Sequence, residues 1–312
     1  MSAGQPVRGI AITPSGSGGP GVAGKVHSPW QLVGRRLMRN KLALVGMAII
    51  GFIAFVALAA PVLAKQPPDR NGVFKTNTAQ VKIPPSLEYP MGTDDLGRDI
   101  LSLIMFGARV SVTIGFFSVG FAIIIGVILG AIAGYFGGSL DTIIMRLMDI
   151  MLALPSILLA LVIVSVIGPG LMNAMIAVGV VSIPTYARIT RASVISEAPR
   201  EYVQASRALG ASSLRLLARH VLPNALSPII VAASLGIATA ILDAAGLGFL
   251  GLGAQPPTPE WGLMLSRNKQ HLFTSPWMVI FPGVSIMFLV LGFNLLGDGL
   301  RDALDPRLSN IR

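Results

Sequence analysis

The sequence predicts an all-α polytopic membrane protein with about six transmembrane helices. Three observations carry that prediction. Of its 312 residues, 53% are hydrophobic and only 12% charged, and the mean hydropathy of +0.72 is too high for a soluble domain. Apolar runs near the ~20 residues needed to cross a bilayer recur at 42–64, 110–135, 142–167, 171–187, 225–253 and 277–296. The net charge of +10 sits beside these runs and on no aromatic-rich patch, since only 6% of residues are aromatic. That pattern is one of membrane orientation, not of nucleic-acid binding. The absence of Cys excludes a disulfide framework and a thiolate metal site.

Residues 1–27 are rich in Gly, Ser and Pro and read as a disordered tail. Ser28 and Pro29 then offer a cap and a first helical position. Over 28–41, Trp30, Leu32, Val33 and Leu37 alternate with Arg35, Arg36, Arg39 and Lys41, the pattern of an interfacial amphipathic helix on the inner leaflet. A membrane-spanning domain of 42–312 follows. Its first run, 42–64, competes with a cleaved signal peptide, because Ala57-Leu58-Ala59 is a small-residue site. The run exceeds a signal core in length and further spans follow it, which favours an uncleaved span.

The connection 65–109 is polar and contains two Pro pairs. Asp94, Asp95 and Asp99 near its end suggest metal ligands, but Arg98 is at hand to pair with them, and a capped turn is the simpler reading. In the second run Gly126, Gly130 and Gly134 recur at every fourth position, a close-packing face between membrane helices. In the third, Asp149 lies one turn from Arg146 and is expected to pair with it. Pro155, Ser165 and Pro184 mark candidate bends. Asp243 has no basic residue within a turn. It reads either as the cap of a helix end loosened by Gly246, Gly248, Gly251 and Gly253, or as a group lining a translocation path. The loop 254–276 follows it.

Between the fourth and fifth runs lies a basic island. Arg188, Arg191, Arg200, Arg207, Arg215 and Arg219 would each cost roughly 2.5–3.5 kcal/mol at the bilayer centre, so the island lies outside the lipid. Within 199–223 the spacing predicts a helical hairpin. Tyr202, Ala205 and Leu209 share one face of a first helix that Gly210 ends, and Ser212 or Ser213 starts a second with a Leu214, Leu217, Ala218, Val221 stripe ended by Pro223. Ala205, Ser206, Ala208 and Gly210 are small enough for a partner to approach closely. A basic loop lying on anionic lipid is the competing reading. Six spans put both termini and this island in the cytoplasm, with sixteen Lys and Arg inside against eight outside.

Three phrases carry a resemblance. Gln204-Ala205-Ser206 with Gly210 and Leu222-Pro223 resembles the coupling loop of ABC-importer permeases, with Gln204 where the family often has Glu and Ser206 where it has Ala. The run from Gly92 to Asp99, and the run from Phe249 to Gly262, resemble the dipeptide/oligopeptide branch of that family. The resemblance covers about 30–307 and implies the type I ABC importer permease (MetI-like) fold. It further implies that Glu201, Gln204, Ala205, Ser206, Arg207, Gly210, Arg215, Arg219, Leu222 and Pro223 meet ATPase subunits. By the same resemblance a second, similar permease completes the path, and an extracytoplasmic binding protein meets Asp94, Asp95, Arg98, Gln255 and Trp261. Asp243 is the candidate for the path itself. ATP and Mg are expected on the partner ATPases, and no cofactor on this chain. The sequence has no phosphate-binding Gly-rich loop, no metal spacing among His27, His220 and His271, and no hydrolase constellation. Peptides are the expected substrate, with nickel, glutathione or another small solute as alternatives. An ion-coupled secondary carrier is the rival class; it calls for internal repeats and mid-membrane charges, and the sequence offers no convincing repeat.

Overall fold

The computed structural model describes residues 29–304. The tail 1–27, the Ser28 cap, Arg307 and Arg312 lie outside them. The described residues form α-helices joined by turns, with no strand among them. Five helices are long and apolar enough to cross a membrane: α2 (Lys41–Leu63), α3 (Ile100–Phe136), α6 (Leu171–Glu197), α9 (Leu226–Phe249) and α11 (Trp277–Leu304). Helices α4 (Gly138–Leu152) and α5 (Ser156–Ile167) have that length and apolarity only when taken together, and they are bent by 93° at the break between them. The 142–167 run is therefore not one straight span. Pro155 has no amide to donate into the ladder and disfavours helical geometry at Leu154, so the helix stops and restarts there. Pro184, by contrast, lies inside α6, which continues to Glu197.

Helices α3 and α6 form the centre of the bundle, and the glycine row explains how closely they lie. A Cβ on Gly126 would stand 2.7 Å from Tyr186 Cβ, and one on Gly134 2.8 Å from the Arg191 carbonyl. Only glycine lets the two backbones meet in this way. Helix α9 packs across both, α11 bridges α9 to α2, and α10 (Trp261–Asn268) wedges between α9 and α11. Short α1 (Pro29–Leu37) rests against α11. Asn40 accepts from the Leu42 and Ala43 amides, which starts α2, and its own amide nitrogen reaches Asp302 at the far end of α11.

The spans leave irregular chain at the two ends of the bundle. At one end are the long loops 64–99 and 250–276. At the other, α6 passes through Arg188 and Arg191 before the hairpin begins, so these two arginines belong to the helix. They reach α4: Arg191 contacts Asp141 through Nε and Nη2, and Arg188 meets Asp149 at 2.5 Å. The expected Arg146–Asp149 pair is thus replaced by one across helices, because α6 brings a guanidinium alongside α4. The four paired residues and Arg146 line an open cavity of about 470 Å³.

Candidate functional site

The hairpin at the α6–α9 connection is held in one shape by its own sequence. Helix α7 (Glu201–Ala208) ends in paired reverse bonds, Gly210 N to Arg207 O at 3.0 Å and Ala211 N to Ser206 O at 3.2 Å. Gly210 stands at φ +84°, left-handed geometry that a residue with a Cβ adopts only under strain. The expected stop at Gly210 is what the structure contains. The chain then turns into α8 (Ser213–Leu216), where Ser212 occupies the cap position but its hydroxyl makes no cap bond.

Beyond α8 the helix widens into a π turn over Leu217–Val221, with Leu222 N bonded to Leu217 O. This turn changes which residues face inward. Leu216, Leu217 and Val221 are buried, with Val203 from α7 and Ala225, against Val194 of α6 and Ala131 of α3. Leu214 and Ala218, expected in the buried stripe, are exposed instead: a five-residue period brings Leu216 rather than Leu214 onto the face shared with Val221. Helix α7 is likewise turned so that Val203 alone faces in.

Polar contacts lock the two arms together. The Tyr202 hydroxyl donates to Glu197 at 2.6 Å, and the Asn224 side chain donates to the Tyr202 oxygen at 3.1 Å and to the His220 carbonyl at 2.7 Å. Burial and then the Glu197 carboxylate push the Tyr202 phenol up to about 12. Arg207 reaches the Tyr135 hydroxyl on α3 at 3.4 Å. Tyr202, Asn224 and Tyr135 are positioning residues that the sequence did not single out for these roles.

The hairpin turns one small, apolar, cationic surface outward. Gln204, Ala205, Arg207, Gly210, Arg215, Arg219 and Pro223 are exposed, Ser206 and Leu222 partly so, and Glu201 is open at the start of α7. The largest apolar features there are Leu209, 89% exposed, and Leu214, 74% exposed. A Cβ on Gly210 would meet nothing within 4 Å, so the space at this glycine is open.

At the opposite end, 92–99 is a closed turn. Asp94 accepts from the Leu96 and Arg98 amides and pairs with the Arg98 guanidinium at 2.6 Å, while Asp99 caps α3 through the Ser102 amide. Asp95 is partly exposed. Asp94 and Trp261 are each 1% exposed. They shape this surface from behind, and a partner touching the surface would not reach them without rearrangement. Trp261 donates to the Ile104 carbonyl at 3.2 Å and Trp277 to the Thr93 carbonyl at 3.2 Å, which fixes both loops to the bundle. Glu260 caps α10 by accepting from the Gly262 and Leu263 amides at 2.7 Å each; its burial pushes its carboxyl up against the pull of those amides.

Gln255 is exposed, its amide donating to the Gly251 and Gly253 carbonyls. The helix end before it is not loosened: α9 closes with Leu252 N to Leu247 O and Gly251 N to Gly248 O, Gly251 standing at φ +80°. Asp243 therefore caps nothing. It is half-buried near the end of α9 and has no hydrogen bond or ion pair with any described residue.

Residues 126–310 match the family described as binding-protein-dependent transport system inner membrane component. The chain belongs to that family. Residues 28–85 match the N-terminal transmembrane domain of oligopeptide transport permease C. The first match takes in the α6–α9 hairpin, the broken span and Asp243, and the second takes in α1, α2 and the start of the long loop. Among relatives of this inner membrane component is a dipeptide transport system permease protein of Alkalihalophilus pseudofirmus, 50% identical over 283 residues and covering 91% of each chain. A di/tripeptide transport system permease protein of Pseudomonas aeruginosa is 49% identical over 91% of this chain and 94% of its own. A glutathione transport system permease protein of Pectobacterium atrosepticum is 41% identical over 91% of this chain and 93% of its own. The fold is shared with the inward-facing MetNI methionine ABC transporter, at a TM-score of 0.55 and 22% identity over 65% of this chain and 96% of that one.

Proposed function

We propose that this inner membrane component is the permease subunit of an ATP-driven importer of di- and oligopeptides, and that its hairpin is where ATPase subunits dock. The observation that carries the docking reading is the exposed surface of Leu209, Leu214, Ala205 and Gly210 on a hairpin cemented to α3 and α6. A lone apolar pair beside free arginines is a poor lipid anchor, and a good knob for a groove on another protein. Arg215 and Arg219 flank it and suit acidic groups there. The 49–50% relatives named for dipeptides, against 41% for glutathione, support a peptide substrate.

In this reading the hairpin end faces the cytoplasm, as do both termini, and α1 lies on the inner leaflet. ATP binds and is hydrolysed on the partner chains. Their closure moves the hairpin, and with it α6 and α9, against a second, similar permease that supplies the other half of the path. A binding protein delivers peptide at the opposite end, over Asp95, Arg98 and Gln255, with Asp94 and Trp261 holding that surface in shape.

The test uses the absence of native cysteine. Ala205→Cys in the full transporter is labelled by an impermeant thiol reagent from each side of sealed vesicles, with and without the ATPases. Labelling from the cytoplasmic side alone, blocked by ATPase, is the expected result. Labelling only from outside overturns both the orientation and the docking role.

A further inference from the structure

The intramembrane carboxylate of Asp243 has no partner among the described residues, and its surroundings say what would supply one. On α9 the side chains of Ile237, Ile241 and Leu247 are buried, whereas Thr239, Leu242 and Phe249 lie on an open face, with Asp243 at its edge. Asp243 stands six residues before the end of α9, about 9 Å along the axis. Next to it runs the break in the α4–α5 span: a Cβ on Gly246, one turn from Asp243, would lie 3.0 Å from Ile157 Cδ1 in the first turn of α5.

The break adds a second, independent constraint. Residues 153–156 are exposed, and the amides of Leu154, Ser156 and Ile157 have no acceptor among the described residues. Open backbone at membrane depth is tolerated only where it is buried in protein or lines a water-filled cavity. A carboxylate on the helix packed beside the break obeys the same rule, because an unpaired charge in hydrocarbon would be neutralised or expelled. The break and Asp243 together therefore mark a place on the uncovered face of the bundle where water reaches open backbone and a carboxylate, among the exposed apolar side chains of Leu154, Ile157 and Leu242.

Resting on the importer reading, we propose that Asp243 receives the protonated α-amino group of the peptide as it crosses. A free peptide carries that cation, and a half-buried carboxylate beside water is suited to hold it without trapping it. A permanent ion pair with a cation on a neighbouring chain is the competing use. It would dry the site, leaving the three open amides of the break without water.

The experiment is ATP-driven uptake by the complete transporter in proteoliposomes, with a dipeptide and with its des-amino analogue, each at a concentration that saturates the binding protein. The wild type should carry the amino form about tenfold faster, the margin of one lost charge-assisted contact. Asp243→Asn should bring the two rates together while the subunits stay assembled; Asp243→Glu should keep most of the preference. An unchanged preference in Asp243→Asn overturns the assignment, and so does loss of permease assembly, which would point to the neighbouring-chain ion pair. Absence of ATP-driven uptake in the wild type is a separate result, and would overturn the importer reading and this assignment with it.

Discussion

Arg109 of α3 donates its Nε–H to the Ala57 carbonyl of α2, the acceptor that Pro61 leaves empty. In an unbroken helix the amide four residues on would fill it, and proline has none. A second bond runs from Arg109 Nη2 to the Leu58 carbonyl at 3.2 Å. The arginine thus lets α2 carry a proline near its end and fastens α2 to α3.

A double-mutant cycle tests this exchange. Arg109→Leu should destabilise the purified protein by about 1–3 kcal/mol, the cost of a buried acceptor left unmade. Pro61→Ala restores an amide at that place. In its presence the cost of Arg109→Leu should shrink by more than half, read as thermal unfolding in detergent. Additive losses in the double mutant would show that Arg109 does something other than replace the missing amide.

Two ion pairs join α4 to α6, and they are not equal. Arg191 grips Asp141 with two nitrogens and both side chains are largely covered, whereas Arg188 meets Asp149 through one nitrogen with both side chains about half exposed. Solvent screening and side-chain entropy cancel most of an exposed pair, so Asp149→Asn should cost less than about 0.5 kcal/mol and Asp141→Asn about 1 kcal/mol. Equal shifts in unfolding temperature would contradict this ranking.

The contrast between these pairs and the glycines shows what the sequence could convey. Gly126, Gly130 and Gly134 announce a packing face by their period alone, and Gly210 announces a helix end because left-handed geometry has few other occupants. Asp149 announces only that it needs a cation. The nearest in sequence, Arg146, is passed over for Arg188, and nothing local in the chain encodes how close α6 comes. The π turn after Leu216 was illegible for a related reason. Its extra residue per turn is decided by the fit of Leu216, Leu217 and Val221 against α3 and α6, so a 3.6-residue count put Leu214 inside. Pro155 was visible as a bend, but the size of the bend depends on what α5 packs against.

Tyr202 gives the hairpin a measurable pH signature. Its phenol ionises near 12 in the folded protein, against 10.0 for the free side chain, because burial and the Glu197 carboxylate both disfavour the anion. The folded state therefore holds its proton where the unfolded state has released one. The contribution to stability is complete below pH 10 and disappears as the pH rises from 10 to 12. Unfolding followed over that window should show a steeper fall in wild type than in Tyr202→Phe. Parallel curves would mean that the hydroxyl does not clamp the two arms.

Gly210 separates backbone from docking. Its φ of +84° makes any Cβ costly, yet nothing stands within 4 Å of one, so the cost is conformational and not steric. Gly210→Ala should lose about 1 kcal/mol of hairpin stability. Gly210→Asn should lose less, since asparagine tolerates left-handed geometry. Both side chains are small and should leave ATPase association within about threefold of wild type, a shift of about 0.7 kcal/mol or less. Gly210→Trp adds the same strain and also fills the open space at this position. It should abolish ATPase association and ATP-dependent uptake while the chain unfolds at a temperature close to that of Gly210→Ala. If the tryptophan variant still binds the ATPase, the open space at Gly210 is not part of the docking surface, and the contact must be made elsewhere on the hairpin.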